Sequence, residues 1–134
     1  MISQSSNSDY KLIQQVVNIQ KLFGIHFFPP AVLYLALFLR STSCSDRKNL
    51  KGITHGSRNG AETYLLQHFS QSIVYGTDIS ESANFFSDLI QHDMHIVHPH
   101  LNSSPTDFIF SNSWDHSNNP SQMIDRWISD LTAP

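Results

Sequence analysis

The sequence predicts an α/β fold built on an open parallel sheet. Two observations carry this. From Leu50 onward, short apolar runs alternate with segments of helical periodicity, and strands separated by helices pair in parallel through right-handed crossovers. The length of 134 residues suits one domain with one core.

Taken in order, Tyr10 to Phe23 reads as an amphipathic helix whose face carries Leu12, Val16, Ile19 and Phe23, with Gly24 as its stop. Pro29-Pro30 marks the entry to a second helix, Ala31 to Leu39, which is apolar on every side and must be covered by the sheet or a partner. Ser41 to Asn49 is a polar connection. It divides an amino-terminal helical extension, 1–49, from the α/β core, 50–134. In the core, Leu50 to Thr54 is the first strand, Ala61 to Phe69 a helix, and Ser72 to Thr77 the second strand. Ser80 to Ile90 is a helix or loop, a short third strand falls at His92 to His95, and Asp107 to Ser111 is the fourth. Pro120 to Leu131 closes the series as a helix with Met123, Trp127 and Leu131 on one face.

Composition excludes several classes. Eight Lys and Arg against eleven Asp and Glu, scattered along the chain, form no stripe that would neutralise phosphates, so no nucleic-acid partner is expected. Cys44 is the only cysteine, which rules out an intrachain disulfide and a thiolate zinc site and suits a reducing compartment. Met1 to Asp9 has neither the basic start nor the apolar run of a secretory signal, and the apolar stretch Ile25 to Leu39 is interrupted by prolines and too short to span a bilayer. A cytoplasmic location is the expectation.

The strongest local signal is Thr54-His55-Gly56-Ser57-Arg58-Asn59-Gly60-Ala61-Glu62, a glycine-bearing turn between a strand and a helix. Glycines there allow left-handed backbone and close ligand approach, and the helix amino terminus presents free N–H groups. A nucleotide-like ligand fits such a turn, as does a plain tight connection. Eighteen residues beyond Gly60, Asp78 stands at the end of the second strand, where an acid accepts hydrogen bonds from ribose hydroxyls. Helix capping is its other reading.

Four blocks in order and spacing then resemble the successive motifs of class I S-adenosylmethionine-dependent methyltransferases. They are Gly56-Ser57-Arg58-Asn59-Gly60-Ala61-Glu62, Gly76-Thr77-Asp78-Ile79-Ser80, Gln91-His92-Asp93-Met94-His95, and Asp107 to Ser117. The resemblance covers Leu50 to Pro134 and implies a Rossmann-like sheet of order 3-2-1-4 with S-adenosylmethionine at the carboxyl ends of its strands. Gly56, Ser57 and Gly60 would border the methionine moiety. Asp78, with Ile79, would bind the ribose; Asp93, with Met94, the adenine; and Asn112 would face the donor methyl. Two positions depart from the pattern: Thr54 replaces the acid before the glycines, and Arg58 replaces the middle glycine. Complete members of the family continue for three more strands, so the resemblance also implies truncation after the fourth strand and helix, with Asp107 to Ser111 as a sheet edge open to a second copy.

Methyl transfer from a sulfonium is an in-line displacement, so positioning supplies much of the rate. A base is needed only for a protonated acceptor. Asp115 and His116 are the candidate pair, His116 to take a proton near neutral pH and Asp115 to orient it, while Asn112 would position the acceptor. A turn before Pro120 explains the same residues. His92, His95, His98 and His100 are clustered, but alternate faces of a strand and Pro99 argue against chelation, so no metal is expected. Two functional readings follow: a methyltransferase of unknown acceptor, inactive if incomplete, or a non-catalytic interaction module that keeps the fold.

Overall fold

A computed structural model describes residues 7–46, 49–97 and 105–131. Among the described residues four strands, β1 (Lys51–His55), β2 (Ile73–Asp78), β3 (Leu89–Gln91) and β4 (Phe108–Ser111), form one sheet. All pairings are parallel and the order is β3-β2-β1-β4, as expected for the Rossmann-like α/β class. The described residues also form the helices α1 (Asn7–Gln20), α2 (Pro29–Asp46), α3 (Ala61–Ser70) and α4 (Pro120–Asp130). Short 3-10 turns lie at Glu81–Phe85 and Trp114–His116.

The two-residue period of a strand separates the faces of the sheet. Register sets Gly52 between Val74 and Phe108 on one face, and Ile53 and His55 beside Tyr75 and Thr77 on the other. The first face is covered by α2 and α3, where Val32, Ala36, Leu39, Leu66 and Val74 join Leu50 in one buried cluster. The second is covered by α4. Its Met123 is fully buried, and the Trp127 ring stacks on His55 with centroids 5.2 Å apart. Asn119 caps α4 by accepting from the Gln122 N–H at 3.2 Å, and Pro120 follows at the first turn, where a missing N–H costs nothing.

Three expectations need correction. The third strand is Leu89–Gln91, and His92 to His95 form the turn after it. Three residues with two apolar side chains make too short a run to stand out from the 3-10 segment before them. The second helix does not stop at Leu39 but runs to Asp46 through the polar stretch. Ser41 and Thr42 permit this by bonding their hydroxyls back to the Phe38 carbonyl, at 2.7 and 3.2 Å.

The third correction concerns α1, whose apolar stripe does not face the core: Leu12 is 61% and Ile19 64% exposed. Its opposite side is turned inward, with Tyr10 and Asn18 buried over the carboxyl ends of the strands. On α2, Val32, Ala36 and Leu39 take the buried face, and Tyr34, Leu37 and Phe38 stay exposed.

Gly52 is required by the β1–β4 contact, since a Cβ there would fall inside the Phe108 ring. Gly52→Ala should therefore lower stability by about 1–3 kcal/mol through overpacking, read as a shift in urea midpoint with unchanged slope. An unchanged midpoint would mean that Phe108 does not lie over β1.

Candidate functional site

The carboxyl ends of all four strands open on one side of the sheet, the place where open α/β folds bind ligands. The loop from β1 to α3 shapes the floor. Gly56, Arg58 and Gly60 all take left-handed backbone, with φ of 69°, 46° and 75°. At Gly56 a Cβ would approach the Ser113 side chain to 2.7 Å, so the close passage of the two loops requires glycine. Arg58 shares the left-handed conformation of the two glycines that flank it. What holds it there is its own N–H, which donates to Asp78 Oδ2 at 2.8 Å.

Asp78 is the organising group. It is 3% exposed and accepts from the Arg58 N–H, from the Ser80 N–H at 2.9 Å and from Asn18 Nδ2 at 2.6 Å, the last two on Oδ1. Burial pushes its pKa up from the usual range, opposed by these donors and by the Arg58 charge. The Arg58 Nε donates in turn to Asn18 Oδ1 at 3.4 Å, so one amide of α1 bridges the acid and the cation of the loop.

Asp93 follows β3. Its Oδ1 accepts from the His95 N–H at 3.0 Å and meets His95 Nδ1 at 2.6 Å. Burial alone would raise its pKa, but the bonds and charge of His95 outweigh that and hold it low. His95 Nε2 lies 2.7 Å from Ser117 Oγ, and the edge of the Tyr10 ring meets its imidazole. Burial next to Asp93 and Asp78 raises the Tyr10 pKa. The Trp127 indole N–H bonds the Met94 carbonyl at 3.1 Å and fixes this turn on α4.

These residues enclose a cleft of two lobes. The first, partly open to solvent, is walled by Tyr10, Asn18, Asp78, Ile79, Asp93 and Met94. The second is walled by Lys21, Ser57, Glu62, Asn112 and Asp115. Gly56, Arg58, Ser113 and His116 border both. Of the residues singled out in the sequence, Gly60 alone lies apart. It faces an apolar hollow with Phe27, Tyr64 and Leu89 on the far side of its own loop. Asn112 donates to the His26 carbonyl at 2.9 Å, while Asp115 and His116 stand exposed on the 3-10 turn Trp114–His116. His92 and His95 lie in the turn after β3, and His98 and His100 fall outside the described residues.

Among the wall residues without an assignment from the sequence are Tyr10 and Asn18 on α1, and Glu62. Glu62 sits in the first turn of α3, 6% exposed, where burial raises its pKa from the ordinary 4.5 to about 7. Its own N–H and the Arg58 charge act the other way but do not prevail. At the end of β1, Thr54 takes part in a buried hydroxyl cluster, 2.5 Å from Thr63 Oγ1 and 2.8 Å from Ser57 Oγ. That cluster ties strand, loop and helix together without charge.

Solved structures of a methyltransferase share this fold. The chain superposes on the plantazolicin methyltransferase BpumL in complex with a triazolic desmethylPZN analog and SAH, with a TM-score of 0.63 at 13% identity over 93% of this chain and 56% of that one. A second structure of BpumL in complex with SAH gives 0.60 at 17% identity over 97% of this chain and 52% of that one. The chain thus spans little more than half the length of the structures that it matches. Neither a family profile nor a curated protein sequence matches it.

Because the pKa of Glu62 is higher in the fold than in the unfolded chain, the ionised carboxylate opposes folding. The penalty is absent below pH 4.5 and complete above pH 7. Glu62→Gln should accordingly be the more stable protein by about 1–3 kcal/mol at pH 8, the difference shrinking toward pH 5. Thermal melts at the two pH values check this, and equal stabilities at pH 8 would contradict it.

Proposed function

We propose that the chain binds S-adenosylmethionine in the two-lobed cleft and serves a methyltransferase whose acceptor enters over the second lobe. The observation that supports this best is the meeting of Gly56, Asp78 and Asp93 at the carboxyl ends of a parallel sheet of order 3-2-1-4. Both BpumL complexes contain SAH, the demethylated form of that cofactor.

The nucleoside would lie over the first lobe. A carboxylate offers about four acceptor positions, and the protein fills two on Oδ1 of Asp78 and one on Oδ2. The remaining Oδ2 position suits one ribose hydroxyl, and displacement of the Asn18 amide would free a second. Asp93 would accept from the adenine amino group, with Ile79, Met94 and Tyr10 against the ring. Gly56 and Ser57 would border the methionine chain, and Gly60 would act by opening α3 rather than by touching the ligand.

The cofactor would supply an electrophilic methyl group. Asn112 would orient the acceptor, His116 would remove its proton where it carries one, and Asp115 would steady the charged imidazole.

Isothermal titration with S-adenosylmethionine and S-adenosylhomocysteine tests the reading. Both should bind, and Asp78→Asn should weaken them by about tenfold or more, the worth of a hydrogen bond to a charged acceptor. Absence of binding to the folded wild-type chain would overturn it.

A further inference from the structure

Where the turn after β3 meets the segment before α4, an acid, an imidazole and a hydroxyl stand in line. Asp93 Oδ1 lies 2.6 Å from Nδ1 of His95, and Nε2 of the same ring lies 2.7 Å from Ser117 Oγ. Joined in that order and at hydrogen-bond distance, the three groups are a nucleophile, its base and the acid that orients the base, a constellation defined by geometry and not by sequence position.

Each group is in the state that this chemistry needs. Burial would raise the Asp93 pKa, but the bonds from His95 hold it low. The carboxylate is therefore ionised at neutral pH, places the imidazole proton on Nδ1 and leaves Nε2 to accept from the Ser117 hydroxyl. His95 is 7% exposed, with the edge of the Tyr10 ring against it, so bulk water does not compete for Nε2. Ser117 is only half-buried. Its oxygen also accepts the Asn119 N–H at 3.2 Å and stands just ahead of α4, whose amino terminus favours negative charge. The bond from the Trp127 indole to the Met94 carbonyl, at 3.1 Å, ties the turn after β3 to the same helix, so base and nucleophile are fixed on one element.

We propose that Ser117 is the nucleophile and His95 the general base of a serine esterase, with Asp93 as the positioning residue, carboxylic esters as substrates and water as the acyl acceptor. Ser117 Oγ attacks the ester carbonyl carbon while its proton passes to His95 Nε2. The bond from that carbon to the alkoxy oxygen breaks, and the alcohol leaves with the proton. Water, deprotonated by His95, then attacks the acyl-serine, releases the carboxylic acid and restores the Ser117 hydroxyl. Ser117 lines neither lobe of the cleft, so short-chain esters that reach a shallow hydroxyl are the substrates it fits. Both His95 bonds fall on Oδ1 of Asp93, which leaves Oδ2 for the adenine contact proposed above. The two roles can coexist, and neither needs the other.

A fluorophosphonate probe, which phosphonylates activated serines with loss of fluoride, tests the nucleophile in the native chain. Peptide mass spectrometry should find Ser117 modified at least about a hundredfold faster than Ser121, an exposed serine at the start of α4, with the preference gone in urea. This comparison needs no variant. Ser117→Ala should remove both the label and the hydrolysis of p-nitrophenyl acetate. His95→Gln should slow labelling by about a hundredfold or more and Asp93→Asn by about tenfold or more, with native far-ultraviolet circular dichroism in each.

A purely structural chain of hydrogen bonds predicts otherwise. Equal modification of Ser117 and Ser121 in the native protein, an unchanged labelling rate in a folded His95→Gln, or labelling without turnover of the ester overturns the esterase.

Discussion

The structure of the cleft depends on one buried carboxylate. Asp78 gathers the backbone N–H groups of Arg58 and Ser80 and the side-chain amide of Asn18, so a single acid joins the glycine loop, the end of β2 and the amino-terminal helix. Removing a charge from water without such donors would cost several kcal/mol, and the donors supplied are short and charge-assisted. They also hold Arg58 in left-handed backbone, where a side chain is otherwise disfavoured. Fold and site share this interaction. The residue proposed to bind a ribose is also the one that sets the shape of the loop beside it.

This constraint explains why α1 turns its polar side inward. Burying Leu12, Val16 and Ile19 would have favoured the opposite orientation, at roughly 25 cal/mol per Å² of apolar surface. That orientation would remove the Asn18 bridge to Asp78 and Arg58 and draw Tyr10 away from His95. The helix roofs the first lobe instead and leaves its apolar stripe exposed. The loop after β3 follows similar logic, since Asp93, His95 and Ser117 form a hydrogen-bonded chain from the end of β3 to the segment before α4.

Much of this was legible in the sequence, because alternation of strand and helix is a local property. The runs at β1, β2 and β4, the proline-started α4 and the glycine turn could each be read from a few neighbouring residues. So could Asp78, whose place at the end of β2 follows from its spacing to Gly60, whereas Asp93 stands out only through the family resemblance. β3 was misplaced because its three residues carry too little pattern, and the far end of α2 was missed because hydroxyl side chains can continue a helix as well as end one. The orientation of α1 was out of reach, for it depends on a partner sixty positions away. Glu62 passed unnoticed for another reason. An acid in a first helical turn is commonplace, and only its burial in a cleft wall gives it meaning.

The account stands most directly on where a nucleoside meets Asp78. A crystal structure of the chain with S-adenosylhomocysteine should show a ribose hydroxyl about 2.5–2.7 Å from Asp78 Oδ2, with the Arg58 N–H still in place. A ligand bound elsewhere, with Asp78 retaining only its donors from the protein, would contradict it.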